Sequence, residues 1–67
     1  MKVKFEKPVS VDYFSFRLQE WTDKFFNRNE VVEIKRIENT TSKWSDLLFD
    51  NGDVAADVPT ESFNEEI

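Results

Sequence analysis

The sequence predicts an α+β domain in which one amphipathic helix packs on a small antiparallel sheet, in the order β-α-β-β-β. Three observations predict this fold: strand-like alternation at the N-terminus, helix-like spacing of large apolar residues in the next segment, and a tight-turn signal between two later apolar runs. The chain has 67 residues, and we expect all of it (1–67) to form a single domain. Seven Phe, two Trp and one Tyr supply material for its core.

The first strand is predicted over residues 2–6. Charged and apolar residues alternate there, which places Val3 and Phe5 on one side and lysines on the other. Pro8 ends this strand.

The second segment carries the predicted helix, from Ser10 to Phe26. Large apolar residues recur every three or four positions, at Val11, Phe14, Leu18, Trp21 and Phe25. Ser10 is a suitable N-cap, and we expect the stripe to be buried against the sheet. The residues Phe14, Phe16 and Leu18 also alternate, so a strand through Leu18 is the alternative for residues 10–18.

Three further strands are predicted in the second half. β-Branched residues mark the first over residues 30–38. The next two, over residues 43–50 and 53–58, form a hairpin, because Asn51-Gly52 between apolar runs favours a type I′ turn. The tail, residues 60–67, is predicted to add a turn and a short strand anchored by Phe63.

The composition argues against catalysis and against a bound cofactor or metal. The chain has no His and no Cys, so it lacks the usual proton shuttle, the most nucleophilic side chain and any thiolate metal ligand. The carboxylates around Gly52 do not have calcium-loop spacing, since Leu47 and Phe49 occupy ligand positions. We therefore predict a protein that is not an enzyme.

Charge is divided unevenly along the chain. Residues 1–43 hold nine basic and seven acidic residues, whereas residues 44–67 hold seven acidic residues and no base. The candidate partner-binding residues are these seven acids, Asp46, Asp50, Asp53, Asp57, Glu61, Glu65 and Glu66. Such asymmetry is typical of an interaction surface.

Two interpretations of the acidic segment remain open. In the first, it engages a basic surface of a partner protein, namely a nucleic-acid-binding protein, and acts as a DNA mimic that inhibits or modulates it. In the second, the acids only keep a small, aromatic-rich domain soluble. Direct binding of nucleic acid is not expected, because the net charge of −5 opposes approach to phosphate.

The segment from Trp44 to Pro59 resembles the central hairpin of SH3-like barrels of the Tudor type. Its aromatic-led strand, acidic Asn-Gly turn and Val-Pro exit carry the resemblance, which covers about a quarter of the chain. It implies an SH3-like β-barrel as the alternative fold, and a peptide-binding module that holds a methylated cation in an aromatic cage. Trp44, Phe49 and Phe63 are the residues available for such a cage.

By size and composition, the chain also looks like small acidic host-takeover proteins of bacteriophages, several of which imitate DNA. A further alternative is a structural or assembly module that acts as a homodimer through strand edges or aromatics. The segment from Met1 to Glu6 lacks the apolar run of a signal peptide, and no apolar run is long enough to span a membrane. We therefore predict a cytoplasmic protein without membrane contact.

Overall fold

Two antiparallel sheets make up the computed structural model, which describes residues 1–66. The strands are β1 (Lys2–Phe5), β2 (Val9–Ser15), β3 (Glu20–Phe26), β4 (Val31–Glu33), β5 (Arg36–Glu38), β6 (Trp44–Leu48), β7 (Val54–Pro59) and β8 (Phe63–Glu66), with one 3₁₀ turn at Thr60–Ser62. Three strands form one sheet in the order β4-β1-β8, and five form the other in the order β3-β2-β7-β6-β5. The fold is all-β.

The predicted α+β class is therefore wrong, and so is the helix over Ser10–Phe26. This segment forms the β2–β3 hairpin, which is paired from Val9 opposite Phe26 to Ser15 opposite Glu20. The alternative strand is nearer the structure, but β2 ends at Ser15 and Leu18 lies in the hairpin loop. The other alternative, an SH3-like barrel, is compatible with two antiparallel sheets around one core.

The spacing of apolar residues imitates that of a helix because both faces of this hairpin carry apolar residues. Val11 on β2 is buried and faces the core, whereas Phe14, Trp21 and Phe25 point to the other side. The predicted stripe therefore combines residues from both faces. Trp21, Phe25 and Leu18 are exposed rather than buried.

One hydrophobic core lies between the two sheets. Its buried residues are Val3, Phe5, Val11, Phe26, Ile34, Leu47, Ala55, Val58 and Phe63. The ring of Phe5 on β1 stacks on that of Phe26 on β3, with centroids 4.5 Å apart and planes inclined by 7°. Phe63 on β8 lies against the same Phe5 ring at 6.1 Å. Aromatic contacts thus join strands of both sheets.

The predicted strand over residues 30–38 is divided between the two sheets as β4 and β5. The fully buried Ile34 lies where the chain passes from one sheet to the other. Its N–H donates to the Met1 carbonyl, and the next N–H, that of Lys35, donates to the Leu48 carbonyl, each at 2.7 Å. Consecutive amides therefore bond to different sheets.

The predictions for the remaining strands are confirmed in outline. β1 corresponds to residues 2–6, β6 and β7 form the predicted hairpin, and β8 follows the 3₁₀ turn with Phe63 buried. Ile67, the end of the predicted tail, lies outside the described residues.

The β6–β7 turn differs in type from the predicted one. Its loop has one positive φ, at Gly52 (93°), and Asn51 is not in the left-handed region that a type I′ turn requires. The Gly52 N–H donates to the Phe49 carbonyl at 3.0 Å, and the Phe49 N–H donates to the Asp53 carbonyl at 2.9 Å. The loop therefore has three residues, of which the last is a left-handed glycine.

We expect Phe26→Ala to cost about 3–5 kcal/mol of unfolding free energy, because it removes a fully buried ring from the stack with Phe5. Trp21→Ala is the matched control. Trp21 is 61% exposed, so we expect a cost of about 1 kcal/mol or less. Urea unfolding of both variants checks the assignment, and similar losses from the two would contradict it.

Candidate interaction surface

The seven predicted partner-binding acids do not share one face of the structure. Asp46 lies on β6 and Asp57 on β7, which belong to the five-stranded sheet. Asp50 lies in the loop between those strands, and Asp53 directly follows that loop. Glu61 is in the 3₁₀ turn, whereas Glu65 and Glu66 are on β8 of the three-stranded sheet.

Asp53 holds the β6–β7 loop against the β2–β3 hairpin. Its carboxylate accepts a hydrogen bond from the Tyr13 hydroxyl at 2.6 Å and from the Phe16 N–H at 2.9 Å. These donors hold the pKa of Asp53 below its usual value of 3.8. Burial of the phenol, together with its hydrogen bond to Asp53, raises the pKa of Tyr13. This carboxylate has a structural role.

Asp46 stabilises a local irregularity in the β6–β7 pairing. The register shifts between Ser45 and Leu47, and Asp57 across from it has a φ of 53°. The Asp46 carboxylate accepts the Asp57 N–H at 3.0 Å and the Asn39 side-chain amide at 2.8 Å. Asp46 is therefore occupied by backbone and side-chain donors of its own chain.

Glu61 forms an exposed ion pair with Lys7, at 2.8 Å. The hydrogen bond and charge of Lys7 lower the pKa of Glu61. Within residues 1–66, no hydrogen bond or ion pair engages the side chains of four other predicted acids. These are Asp50, Asp57, Glu65 and Glu66, all of which are exposed.

An exposed aromatic surface lies on the outer side of the five-stranded sheet, and sequence reasoning missed it. Phe14 on β2 pairs with Trp21 on β3, and their ring centroids are 5.2 Å apart. Val54 and Leu48, which like Phe14 are half-buried, continue this row across β7 and β6. Phe25, further along β3, is 55% exposed. Large exposed apolar residues grouped in this way are typical of interaction sites.

Two carboxylates lie within this aromatic surface. Asp12 on β2 is directly opposite Asp23 on β3, two residues along each strand from the Phe14–Trp21 pair and therefore on the same face. Both side chains are exposed, and within residues 1–66 neither takes part in an ion pair. Like charges directly opposite each other in a sheet destabilise it. The two acids are 11 positions apart in the sequence, so only the strand register reveals the pair.

The residues proposed for an aromatic cage do not converge. Phe63 is buried against Phe5 in the core. Phe49 packs edge-on against Tyr13, with centroids 5.6 Å apart. Trp44 is 48% exposed and lines a surface pocket. The other residues of this pocket are Ser42, Lys43, Pro59 and Glu61.

Comparison with protein-family models, curated proteins and solved structures finds no match to this chain. Among residues 1–66, no helix has the length and apolar character to cross a lipid bilayer. The same part of the chain contains no group of three or more acidic side chains placed to hold a metal ion. Any function is therefore inferred from the chain's own surface.

We expect Tyr13→Phe to lower the unfolding free energy at pH 7 by about 1 kcal/mol, because it removes the hydroxyl donor of Asp53 and keeps the ring. The pKa of Asp53 is depressed in the folded state, so this contribution is present above the unfolded pKa, near 3.8, and is lost as the pH falls through the folded pKa. Urea unfolding from pH 2 to 7 should show the two proteins converging at the acid end. A difference that does not depend on pH would contradict this role.

We expect Asp23→Lys to raise the unfolding free energy by about 0.2–1 kcal/mol, because it replaces the repulsion with Asp12 by an attraction across the strands. Asp50→Lys is the control, since it makes the same charge change in an exposed loop. Thermal unfolding at low ionic strength measures both variants. Equal changes would show that net charge, and not the facing pair, is responsible.

Proposed function

We propose that this protein is a non-catalytic binding protein that uses the acidic residues of its C-terminal third, residues 44–67, to engage a basic surface on a partner protein. The observation that carries the proposal is the presence of seven acids and no base in residues 44–67. Asp53 and Asp46 have internal structural roles, so the contribution to binding comes mainly from the exposed acids that have no internal partner among residues 1–66. These are Asp50, Asp57, Glu65 and Glu66.

The proposed partner is a nucleic-acid-binding protein, whose DNA site this protein covers as a DNA mimic. A surface that binds DNA presents a positive field, and fixed carboxylates are attracted to it over roughly 10 Å at 0.1 M salt. Electrostatic attraction of this kind accelerates association and selects against acidic partners. The net charge of −5 agrees with a protein partner rather than with nucleic acid itself.

The chain's chemistry supports a role in binding rather than catalysis. Without His and Cys, only carboxylates, hydroxyls and amines remain as reactive side chains. The carboxylate of Asp53 is committed to its hydrogen bonds with Tyr13 and Phe16. We place this activity in the cytoplasm, where the absence of disulfides is usual.

A second candidate function is a homodimeric assembly module. The exposed Trp21 and Phe25 on β3 favour it, because aromatic side chains at a sheet edge are suited to association. Salt separates the two candidates. Added salt weakens capture of a basic partner by screening, whereas apolar dimerisation is little affected.

A competition assay tests the first candidate. The protein is titrated into a panel of purified DNA-binding proteins, each loaded with a fluorescent duplex, and release of the duplex is followed by anisotropy. We expect release from at least one of them, with an apparent affinity that falls steeply as salt is added. The variant Asp50→Lys/Glu65→Lys should lose this activity.

Glu33→Lys/Glu38→Lys is the matched control, because it makes the same change in net charge within residues 1–43. It should retain most of the activity. Failure to release DNA from any protein in the panel would reject the DNA-mimic proposal. Equal effects of the two double variants would leave only net charge as the cause.

A further inference from the structure

β3 is a long, uncovered edge of the five-stranded sheet. It has seven residues, whereas the other edge strands, β4, β5 and β8, have three, three and four. Within residues 1–66, β3 pairs only with β2, and residues 20–25 are exposed on both faces. Its outward backbone N–H and C=O groups therefore remain available to another strand.

The outer face of β3 has a specific side-chain pattern. Trp21, Asp23 and Phe25 alternate along it, so a carboxylate lies between two aromatic rings. Asp12 of β2 adds a second carboxylate directly beside Asp23. The edge thus combines unpaired backbone groups, apolar surface and negative charge without a basic residue on that face.

We propose that β3 accepts an extended segment of the partner protein as an added strand, in which a basic residue is flanked two positions away on each side by apolar residues. The inference rests on the proposed binding of a basic partner and adds this edge as a second contact, separate from the exposed acids of residues 44–67. Backbone hydrogen bonds hold such a strand, and its alternate side chains determine which segment fits.

The pattern follows from the cross-strand positions. The central basic residue lies opposite Asp23, and Asp12 lies directly behind Asp23 on the next strand. Its positive charge therefore offsets the repulsion between the two carboxylates. The apolar residues lie beside Trp21 and Phe25, and an arginine side chain also stacks on the indole face. Because the pattern reads the same in both directions, it applies to parallel and antiparallel addition.

A second copy of this chain fits the edge less well. The outer face of β3 carries Trp21, Asp23 and Phe25, and therefore supplies no positive charge. Antiparallel self-pairing centred on Asp23 would bring four carboxylates together, two from each copy. A partner strand that contains lysine or arginine removes this repulsion.

The probe is a phage-displayed library of random peptides slightly longer than β3, selected on the immobilised full chain. The selected peptides are then synthesised, and their affinities are measured by calorimetry. We expect enrichment of the pattern apolar-x-basic-x-apolar. Trp21→Ala and Asp23→Lys should each weaken binding by about tenfold or more.

Two control variants carry the same substitutions elsewhere on the surface. Trp44→Ala removes another exposed indole, and Glu33→Lys reverses an exposed carboxylate on the three-stranded sheet. Both should bind the selected peptides within about twofold of the original chain. The melting temperatures of all four variants are measured first, so that loss of folding is not read as loss of binding.

Amide hydrogen exchange distinguishes strand addition from contact through side chains alone. In the free protein, half of the β3 amides point away from β2 and should exchange rapidly. Bound peptide should slow this exchange between Trp21 and Phe25. No protection there, or selected peptides unaffected by Trp21→Ala and Asp23→Lys, would overturn the proposal.

The outcomes also separate this inference from the proposed function. Selected basic peptides that are lost with Asp50→Lys, but not with Asp23→Lys, would reject the β3 site and support the acidic segment. Selection of peptides without a basic residue would contradict both. Concentration-dependent dimerisation through β3, measured by sedimentation, would assign the edge to a second copy and overturn the partner-strand proposal.

Discussion

The stack of Phe5 on Phe26 is the contact on which the two-sheet architecture depends. β1 is the central strand of the three-stranded sheet, and Phe26 closes the base of the β2–β3 hairpin opposite Val9. A chain of this length buries only about 60% of the surface that its unfolded form exposes. Its core therefore occupies a single layer around this stack. The part of the β2–β3 hairpin that is far from Phe26 lies outside the core.

The exposed hairpin is nevertheless held at both ends. Phe26 fixes its base in the core, while the Phe16 N–H and the Tyr13 hydroxyl bind Asp53 near its tip. Gly52 approaches the Phe16 ring so closely that a Cβ there would lie 2.9 Å from Cγ. The outer face of β3 therefore belongs to a hairpin that is fixed at both ends, which reduces the entropy lost on binding.

The strands with one buried face were predictable from the sequence, as for Val3 and Phe5 on β1 and for the hairpin marked by Gly52. The β2–β3 hairpin was not, because its loop contains no Gly or Pro and its two apolar faces imitate a helical period. The candidate site was predictable only as a charge asymmetry. The local sequence does not indicate the internal partners of Asp53, nor that Asp12 lies opposite Asp23. Both features depend on which strands pair.

The difference in length among the edge strands has a consequence for self-association. Three of the four edges have three or four residues, too few to template much β-structure, so the hazard of aggregation is concentrated in β3. Glu20, Asp23 and Lys24 are the charges that interrupt its aromatic residues and act as gatekeepers. Asp23 then has two roles: it keeps copies of the chain apart, and it binds the basic residue of the proposed partner strand. Selection for solubility and selection for recognition would therefore act on the same carboxylate.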